Sequence, residues 1–226
     1  MLDAQMYRGL VETLKQRDWH AVTSPQDYEA CHHLVGWADK LASLTPRSMW
    51  IPHKPPFTHQ ELRDLLQSFD GPVIVKDYVK SEKHAWTQAC FIPDTCDIDQ
   101  ALGVINRFIE LRDRNFEGGL VLREFVRLKP IGEDERSGMP LSRELRSFWM
   151  GTTCIAVSDY WRNDSSDPLP QVAGDAARLI ERPFFTIDVA MTDAGEWIVI
   201  EVGDGQVSAL PDSLDASTLY AGLVGR

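Results

Sequence analysis

What this chain of 226 residues lacks narrows the field first. Basic charge is scarce: 23 Lys and Arg stand against 34 Asp and Glu, a net charge of −11. Nucleic-acid binders carry a basic footprint that displaces counterions from phosphates, so no nucleic-acid partner is expected. Only a local groove built on Lys76, Lys80 and Lys83 would serve. Of the 4 cysteines (Cys31, Cys90, Cys96, Cys154), none forms a CxxC pair or has a histidine at zinc-site spacing, so reduced structural thiols are expected. The apolar runs are strand-sized, far short of the roughly 18 residues of a membrane span. The N-terminal MLDAQMYRGL lacks the basic start and apolar core of a secretion signal. A cytoplasmic protein with no membrane partner is therefore expected. Internal repeats and low-complexity stretches are also missing.

What is there builds a globular protein. With 43% hydrophobic residues, the chain can fill one large domain or two small lobes. Tyr7 to Arg17 reads as a short helix on Leu10, Val11 and Leu14, and Ser24-Pro25 opens a second. Four prolines between Thr45 and Phe57 mark a linker or extended segment. Thr58 with Glu61 forms a capping-box pattern before the stripe Leu62, Leu65, Leu66 and Phe69. PVIVKDY and LVLREFV read as strands around a helix capped by Asp97, with Ile98, Leu102, Ile105, Phe108, Ile109 and Leu111 as its apolar positions. Lys129 to Pro140 reads as a polar, mobile loop. RELRSFWM and TCIAVSDYW follow as strands joined at Gly151-Thr152, then a loop from Asp164 to Pro170 and a helix from Gln171 to Ile180. A strand hairpin from Phe184 to Gln206 precedes a short tail. Helices alternating with antiparallel hairpins give an α+β class.

The chemistry gathers in a few acids and one lysine. Taking Asp193-Ala194-Gly195-Glu196 as the hairpin loop pairs Thr192 with Trp197 and sets Asp188 opposite Glu201. Opposed residues lie about 4.5–5.5 Å apart at Cβ, where like charges are unfavourable. Asp204 follows between two glycines. Three converging carboxylates suit a hard divalent cation that brings phosphates with it; an acidic edge neutralised by Arg or Lys is the structural alternative. Lys76 interrupts the apolar run VIVKD, so its ammonium needs a partner or ligand, unless it snorkels at the strand end. Glu124 closes the strand LVLRE, with a salt bridge to Arg123 or Arg127 as the alternative. Glu144 and Arg146 alternate with Leu145 and share one strand face, where a surface ion pair is the alternative.

The order of these elements resembles the ATP-grasp superfamily, in particular small ATP-grasp domain proteins with the patterns VKDYVKS, LREFV, ELRSF and IEVGDGQ. The resemblance covers roughly Pro72 to Pro211. It implies two α+β lobes whose antiparallel sheets grip ATP, after a reduced N-terminal pre-grasp segment. The implied divisions are 1–57, 58–126 for the N-terminal lobe, and 127–226 for the C-terminal lobe with the metal site. It implies that Lys76 meets the ATP phosphates and adenine N7, and that Glu124, Phe125 and Val126 form the adenine hinge. Glu144 takes the ribose, Arg146 the phosphates or the acyl-phosphate, and Lys80 and Ser81 lie in the phosphate loop. Asp188 and Glu201 hold Mg²⁺, with Mn²⁺ as the alternative ion. The family's glycine-rich loop is here the charged DYVKSEKH. Its Glu-x-Asn metal pair is here Glu201-Val202-Gly203, which passes the asparagine's role to Asp204 or to nothing. Arg47 stands in for an earlier lysine.

These residues imply an ATP-dependent carboxylate–amine (or thiol) ligase. A substrate carboxylate takes the γ-phosphate, leaving ADP, and an amine then displaces phosphate from the acyl carbon. Arg146 and Lys76 carry the catalysis. The partners are small-molecule or peptide carboxylates and amines. A nucleotide-binding interaction module that has lost ligation is the alternative. RNA end-joining by AMP transfer fits the acidic charge poorly.

Overall fold

The computed structural model describes residues 2–133, 140–161 and 168–224. In chain order its elements are α1 (Ala4–Lys15), α2 (Pro25–His32), β1 (Ser48–Ile51), α3 (His59–Leu66), β2 (Val73–Lys76), α4 (Trp86–Ala89), β3 (Phe91–Ile92) and α5 (Ile98–Arg112). Then come β4 (Leu120–Glu124), β5 (Pro130–Glu133), β6 (Pro140–Ser142), β7 (Glu144–Met150), β8 (Thr153–Asp159), α6 (Gln171–Ile180), β9 (Phe184–Met191), β10 (Trp197–Asp204) and α7 (Ala216–Val224). No described helix is long and apolar enough to cross a membrane. The chain divides into two compact units. One comprises Met1–Thr45, Arg127–Gly132 and Pro140–Arg226; the other comprises Pro46–Val126 and Glu133–Met139. Residues 1–45, expected within a separate 1–57 segment, belong to the same unit as the C-terminal sheet.

In the Pro46–Val126 unit, four antiparallel strands run in the order β1-β4-β2-β3. The proline-rich segment expected as a linker or extended segment contains β1, an edge strand whose flanking Pro46 and Pro52 stay outside the ladder, where they withhold no N–H from it. Val73 and Val75 of β2 join Leu120 and Leu122 of β4 on one face. There they meet Leu62, Leu65 and Leu66 of α3 and Ala101, Val104, Ile105 and Phe108 of α5. The capping box on α3 is fully formed, with Thr58 accepting from the Glu61 N–H and Glu61 reaching back to Thr58. The buried stripe of α5 is rotated from the expected one: the small Ala101 faces the sheet, and Leu111 is exposed.

In the other unit, the sheet order is β10-β9-β7-β8, all antiparallel. Side chains alternate across it. On one face, Ala173, Ala176, Ala177 and Ile180 of α6 are buried, small enough for close approach to β9 and β10. On the other face, Phe148 and Phe184 pack with Leu214 and with Leu219 and Leu223 of α7, a helix where a tail was expected. α1 and α2 dock through Tyr7 and Tyr28, stacked at 3.9 Å. Leu10, expected in the stripe of α1, is exposed. The segment expected as a mobile loop from Lys129 to Pro140 is bounded by the paired strands β5 and β6. Its residues 134–139, and 164–167 of the later loop, lie outside the described residues.

Candidate functional site

The C-terminal sheet builds its polar face by register. Arg146 on β7 pairs with Asp188 on β9, which in turn pairs with Glu201 on β10, so the three stand in a row across the strands. Glu144, two residues before Arg146, shares that face. The Asp188–Glu201 pairing arises differently from the sequence expectation. The loop has three residues, not four: Thr192 N–H donates to Glu196 O at 2.7 Å, and Gly195 adopts φ 88°. This is the type I turn with a left-handed third residue that a three-residue hairpin uses. It shifts the register by one, to Met191 opposite Trp197, and a bulge at Ile200 shifts it back. Val199, beside the bulge, turns outward to bond the Leu44 carbonyl at 2.8 Å and the Thr45 hydroxyl at 2.8 Å.

Arg146 grips Asp188 with two parallel bonds, Nε to Oδ1 at 2.8 Å and Nη2 to Oδ2 at 2.6 Å. Its Nη1 donates to Ala209 O at 2.9 Å, and the guanidinium lies 4.6 Å over the Tyr160 ring. Burial raises the Asp188 pKa, and Glu201 and Glu144 add to it; together they outweigh Arg146 and bring the carboxyl to about 6. Burial opposes the Arg146 charge, yet the bonded carboxylate more than offsets it and holds the guanidinium charged. The pair is thus asymmetric: the cation gains from it, and the anion is crowded by two further acids. Glu144 is buried and accepts a short bond from Ser142 Oγ.

Asp204 does not join this set. It lies three residues past Glu201, so strand alternation turns it to the opposite face, with Val202. It is wholly buried there, its Oδ1 accepting from Gln206 N–H at 3.0 Å and its charge felt by Tyr7 and Cys31. Thr23 lies near enough to lower its pKa, but Oδ2 finds no hydrogen bond of normal geometry among the described residues. The residue that faces the site beside Glu201 is Gly203. A Cβ there would lie 2.7 Å from both Thr186 Oγ1 and Ser208 Oγ, which bond each other at 2.8 Å. Ser208 donates its proton to Asp204 O, so Thr186 donates to Ser208, and the pair offers lone pairs where an asparagine was expected.

The other predicted residues lie in the Pro46–Val126 unit. Lys76 ends β2 opposite Val121, half-buried, on the face that also carries Ile74 and the buried Arg123. Glu124 is exposed at the end of β4 and falls by alternation on the opposite face, its N–H bonded to Arg47 O at 2.9 Å. Phe125 bonds Pro72 O through its N–H at 2.9 Å and sets its ring edge-on to Phe91 at 4.9 Å, with Trp86 beyond. Val126 is half-buried. Lys80 is exposed, and Ser81 bonds the Cys90 thiol. Arg47 is not a free cation for a ligand: Nη1 caps the Ser68 carbonyl at 2.6 Å and the guanidinium lies over Phe69.

Sequence reasoning missed Asp77. Wholly buried, it accepts from the N–H groups of Val79 at 2.7 Å, Lys80 at 2.6 Å and Glu117 at 3.2 Å, and from Arg112 Nε at 2.9 Å. It folds the segment after Lys76 into a fixed turn, in place of glycines. An aspartate bonding N–H groups two and three residues on is a recognisable turn signal. Tyr160 and the Thr186–Ser208 pair were also missed, and neither carries a local motif.

The model of an ATP-grasp domain, family 3 of its clade, matches residues 61–223. The chain belongs to this ATP-grasp family. The α+β ATP-grasp fold with antiparallel sheets, expected from the residue patterns, is the fold observed. Solved structures share it. The D-alanine–D-alanine ligase from Bacillus anthracis, complexed with ATP, is 14% identical with a TM-score of 0.55, over 96% of this chain and 72% of that one. The D-alanine–D-alanine ligase from Coxiella burnetii is 14% identical with a TM-score of 0.59, over 97% and 61%. A RimK domain ATP-grasp protein from Sphaerobacter thermophilus is 14% identical with a TM-score of 0.56, over 96% and 73%. At this identity the likeness carries the fold alone. No curated protein matches the chain.

Proposed function

We propose that the protein is an ATP-dependent ligase that joins a carboxylate to an amine or thiol through an acyl-phosphate, releasing ADP and phosphate. The observation that carries this reading is the row Arg146–Asp188–Glu201 with Glu144 on one sheet face. Three carboxylates gather there around one guanidinium, and Glu201 and Glu144 both act on Asp188. The D-alanine–D-alanine ligases and the N5-carboxyaminoimidazole ribonucleotide synthetase from Thermotoga maritima among the similar structures are ligases and synthetases by name, which favours the same class.

The donor set fits Mg²⁺, which takes carboxylate oxygens and keeps substrate phosphates as further ligands. Asp188 and Glu201 would hold it. Each Asp188 oxygen accepts a guanidinium N–H and keeps a lone-pair site. Bound there, the ion supplies charge neutralisation for the transferring phosphoryl group. Arg146, already oriented by Asp188 and Ala209, presents fixed positive charge that costs no reorganisation as the acyl-phosphate forms. Lys76 is assigned to the ATP phosphates, with Lys80 and Ser81 on the turn that Asp77 fixes. Glu124, Phe125 and Val126 are assigned to adenine and Glu144 to ribose. Glu124 serves through its backbone, since its carboxylate shares no face with Lys76. Asp204 is withdrawn from the metal set.

Calorimetry with ATP and Mg²⁺ on the wild type and Asp188→Asn tests the site; equal metal-dependent affinity in both overturns the assignment. ADP and phosphate release with pools of amino acids or peptides tests ligation. A second reading, a nucleotide-binding module without ligation, is favoured by one observation: both Asp188 oxygens are already engaged by Arg146. Tight ATP binding with no ADP from any pool would decide for it.

A further inference from the structure

The segment between β2 and α4, residues 77–85, opens with a turn whose backbone donors are already engaged. Asp77 Oδ1 accepts from the N–H groups of Val79 at 2.7 Å and Lys80 at 2.6 Å, and Asp77 N–H bonds Lys80 O at 2.9 Å. The carboxylate thus stands where a backbone carbonyl would otherwise close the turn. A loop that cradles phosphate aims consecutive backbone N–H groups at the anion. Here the consecutive N–H groups of Val79 and Lys80 face a buried side chain instead. What the turn presents outward is the exposed Lys80.

We infer that this segment meets the phosphates of a nucleoside triphosphate through the Lys80 ammonium and not through its backbone, and that Arg112 is the positioning residue that fixes Lys80 for that contact. Both roles rest on the ATP binding proposed above.

Arg112 closes α5, where a cation suits the negative end of the helix, and its side chain is 15% exposed. Each nitrogen has its own task. Nε bonds Asp77 Oδ2 at 2.9 Å and so holds the carboxylate that closes the turn. Nη1 bonds Glu82 Oε1 at 3.3 Å and holds the chain just past Lys80. Nη2 bonds Asn115 O at 2.8 Å and fixes the guanidinium itself. The next residues reinforce the clamp: Glu117 N–H bonds Asp77 Oδ2 at 3.2 Å, and Tyr78 N–H bonds Glu117 O at 3.2 Å. Lys80 therefore lies between two anchors held by one guanidinium. Its long side chain still loses rotamer freedom when it meets an anion, but the backbone beneath it is already ordered, which lowers the cost of binding. A lysine at position 112 would supply the charge without the three-way fork. A purely structural ion pair would stabilise the fold and leave the phosphates no better bound than the nucleoside.

Calorimetry with Mg²⁺ and ATP, and saturation-transfer NMR with adenosine, test this on the full chain. Lys80→Met should weaken ATP about ten-fold or more, the worth of one hydrogen bond to a charged group, and leave adenosine unchanged. Arg112→Gln should weaken ATP by a similar factor, again with adenosine unchanged. The two together should lose no more than the larger single loss, because Arg112 acts through Lys80. Arg112→Lys should stay weakened. Arg107→Gln, on the same helix with Glu110 as its partner, should bind ATP as the wild type does. If Arg112→Gln does not fold, Glu82→Gln replaces it, with a smaller loss in the same direction and none when added to Lys80→Met. Unchanged ATP affinity in Lys80→Met, additive losses in the double variant, wild-type affinity in Arg112→Lys, or equal losses for ATP and adenosine would each overturn the assignment and leave ATP binding standing. A wild type that binds no ATP would sink it together with the nucleotide site. The expected losses of ATP affinity without ADP release from any substrate pool would uphold it and sink the ligase.

Discussion

On the β9–β10 hairpin, Asp188 and Asp204 are 2% and 0% exposed, and they meet opposite surroundings. Asp188 faces a cation that is itself held twice over, by the Ala209 carbonyl and the Tyr160 ring, and it is crowded by Glu201 and Glu144. Asp204, on the other face, is served instead by a backbone N–H and by nearby hydroxyl and amide groups. It anchors the turn from which Gln206 reaches Tyr7 and accepts from Val22 N–H at 3.1 Å. The first face gathers three acids around one guanidinium. The second spends its acid on holding α1 and α2 to the end of β10. Proximity in sequence therefore says little about which acids act together; the face decides.

The contrast breaks most severely at Asp188→Ala. Removing one partner of a buried, doubly bonded pair leaves Arg146 with uncompensated charge, at a cost of about 3–5 kcal/mol. Urea denaturation should show that loss as a lower midpoint, and Mg²⁺-dependent ATP binding should vanish in calorimetry. If Asp204→Ala abolished metal-dependent ATP binding equally, the division of the hairpin into two faces would be wrong.

Gly203→Ala is the next test. Its Cβ would press on Thr186 Oγ1 and Ser208 Oγ at 2.7 Å, and overpacking of this kind costs about 1–3 kcal/mol. Adding Ser208→Ala to the same chain removes one of the two clashing oxygens and should recover part of the loss. No recovery would mean that the glycine is required by its backbone rather than by the hydroxyl pair.

Much of this arrangement was legible in the residues. The capping box at Thr58, the α6 span from Gln171 to Ile180 and the pairing of Asp188 with Glu201 follow from local pattern. The pairing is reached through two compensating shifts. A loop that reads as four residues has three, and the bulge at Ile200 that restores the register is set by bonds to Leu44 and Thr45, more than 150 residues away in the chain. That bulge leaves no mark in the strand's own sequence. Asp204 is misplaced when nearness in sequence is followed instead of alternation. β1 was hidden by its flanking prolines, and α7 was passed over although Asp215 caps it, accepting from Ser217 N–H at 2.7 Å.

The turn offers a milder test of what sets the register. Gly195 has φ 88° and no neighbour within 4 Å of a Cβ, so Gly195→Ala costs backbone strain alone, about 1 kcal/mol. Gly195→Asn should cost less, because asparagine tolerates the left-handed region. Amide exchange at Val189 and Val199 should stay unchanged in both, since the pairing beyond the turn is held by the bulge and its bonds. Faster exchange there would place control of the register in the turn.

The smallest effect is a slope rather than a loss. Burial raises the Asp204 carboxyl above its ordinary 3.8, against the opposing bonds from Thr23, Gln206 and Val207. An acid raised on folding contributes stability that is fully present below its unfolded pKa and lost as pH climbs through the folded value. Asp204→Asn removes that titration. Its stability relative to the wild type should therefore rise as pH goes from about 3.5 to 7, measured by urea denaturation at both ends. A relative stability that falls with pH would mean that the charged carboxylate is favoured where it sits. Asp204 would then resemble a ligand-ready acid more than an anchor, and the distinction between the two faces would lose its electrostatic basis.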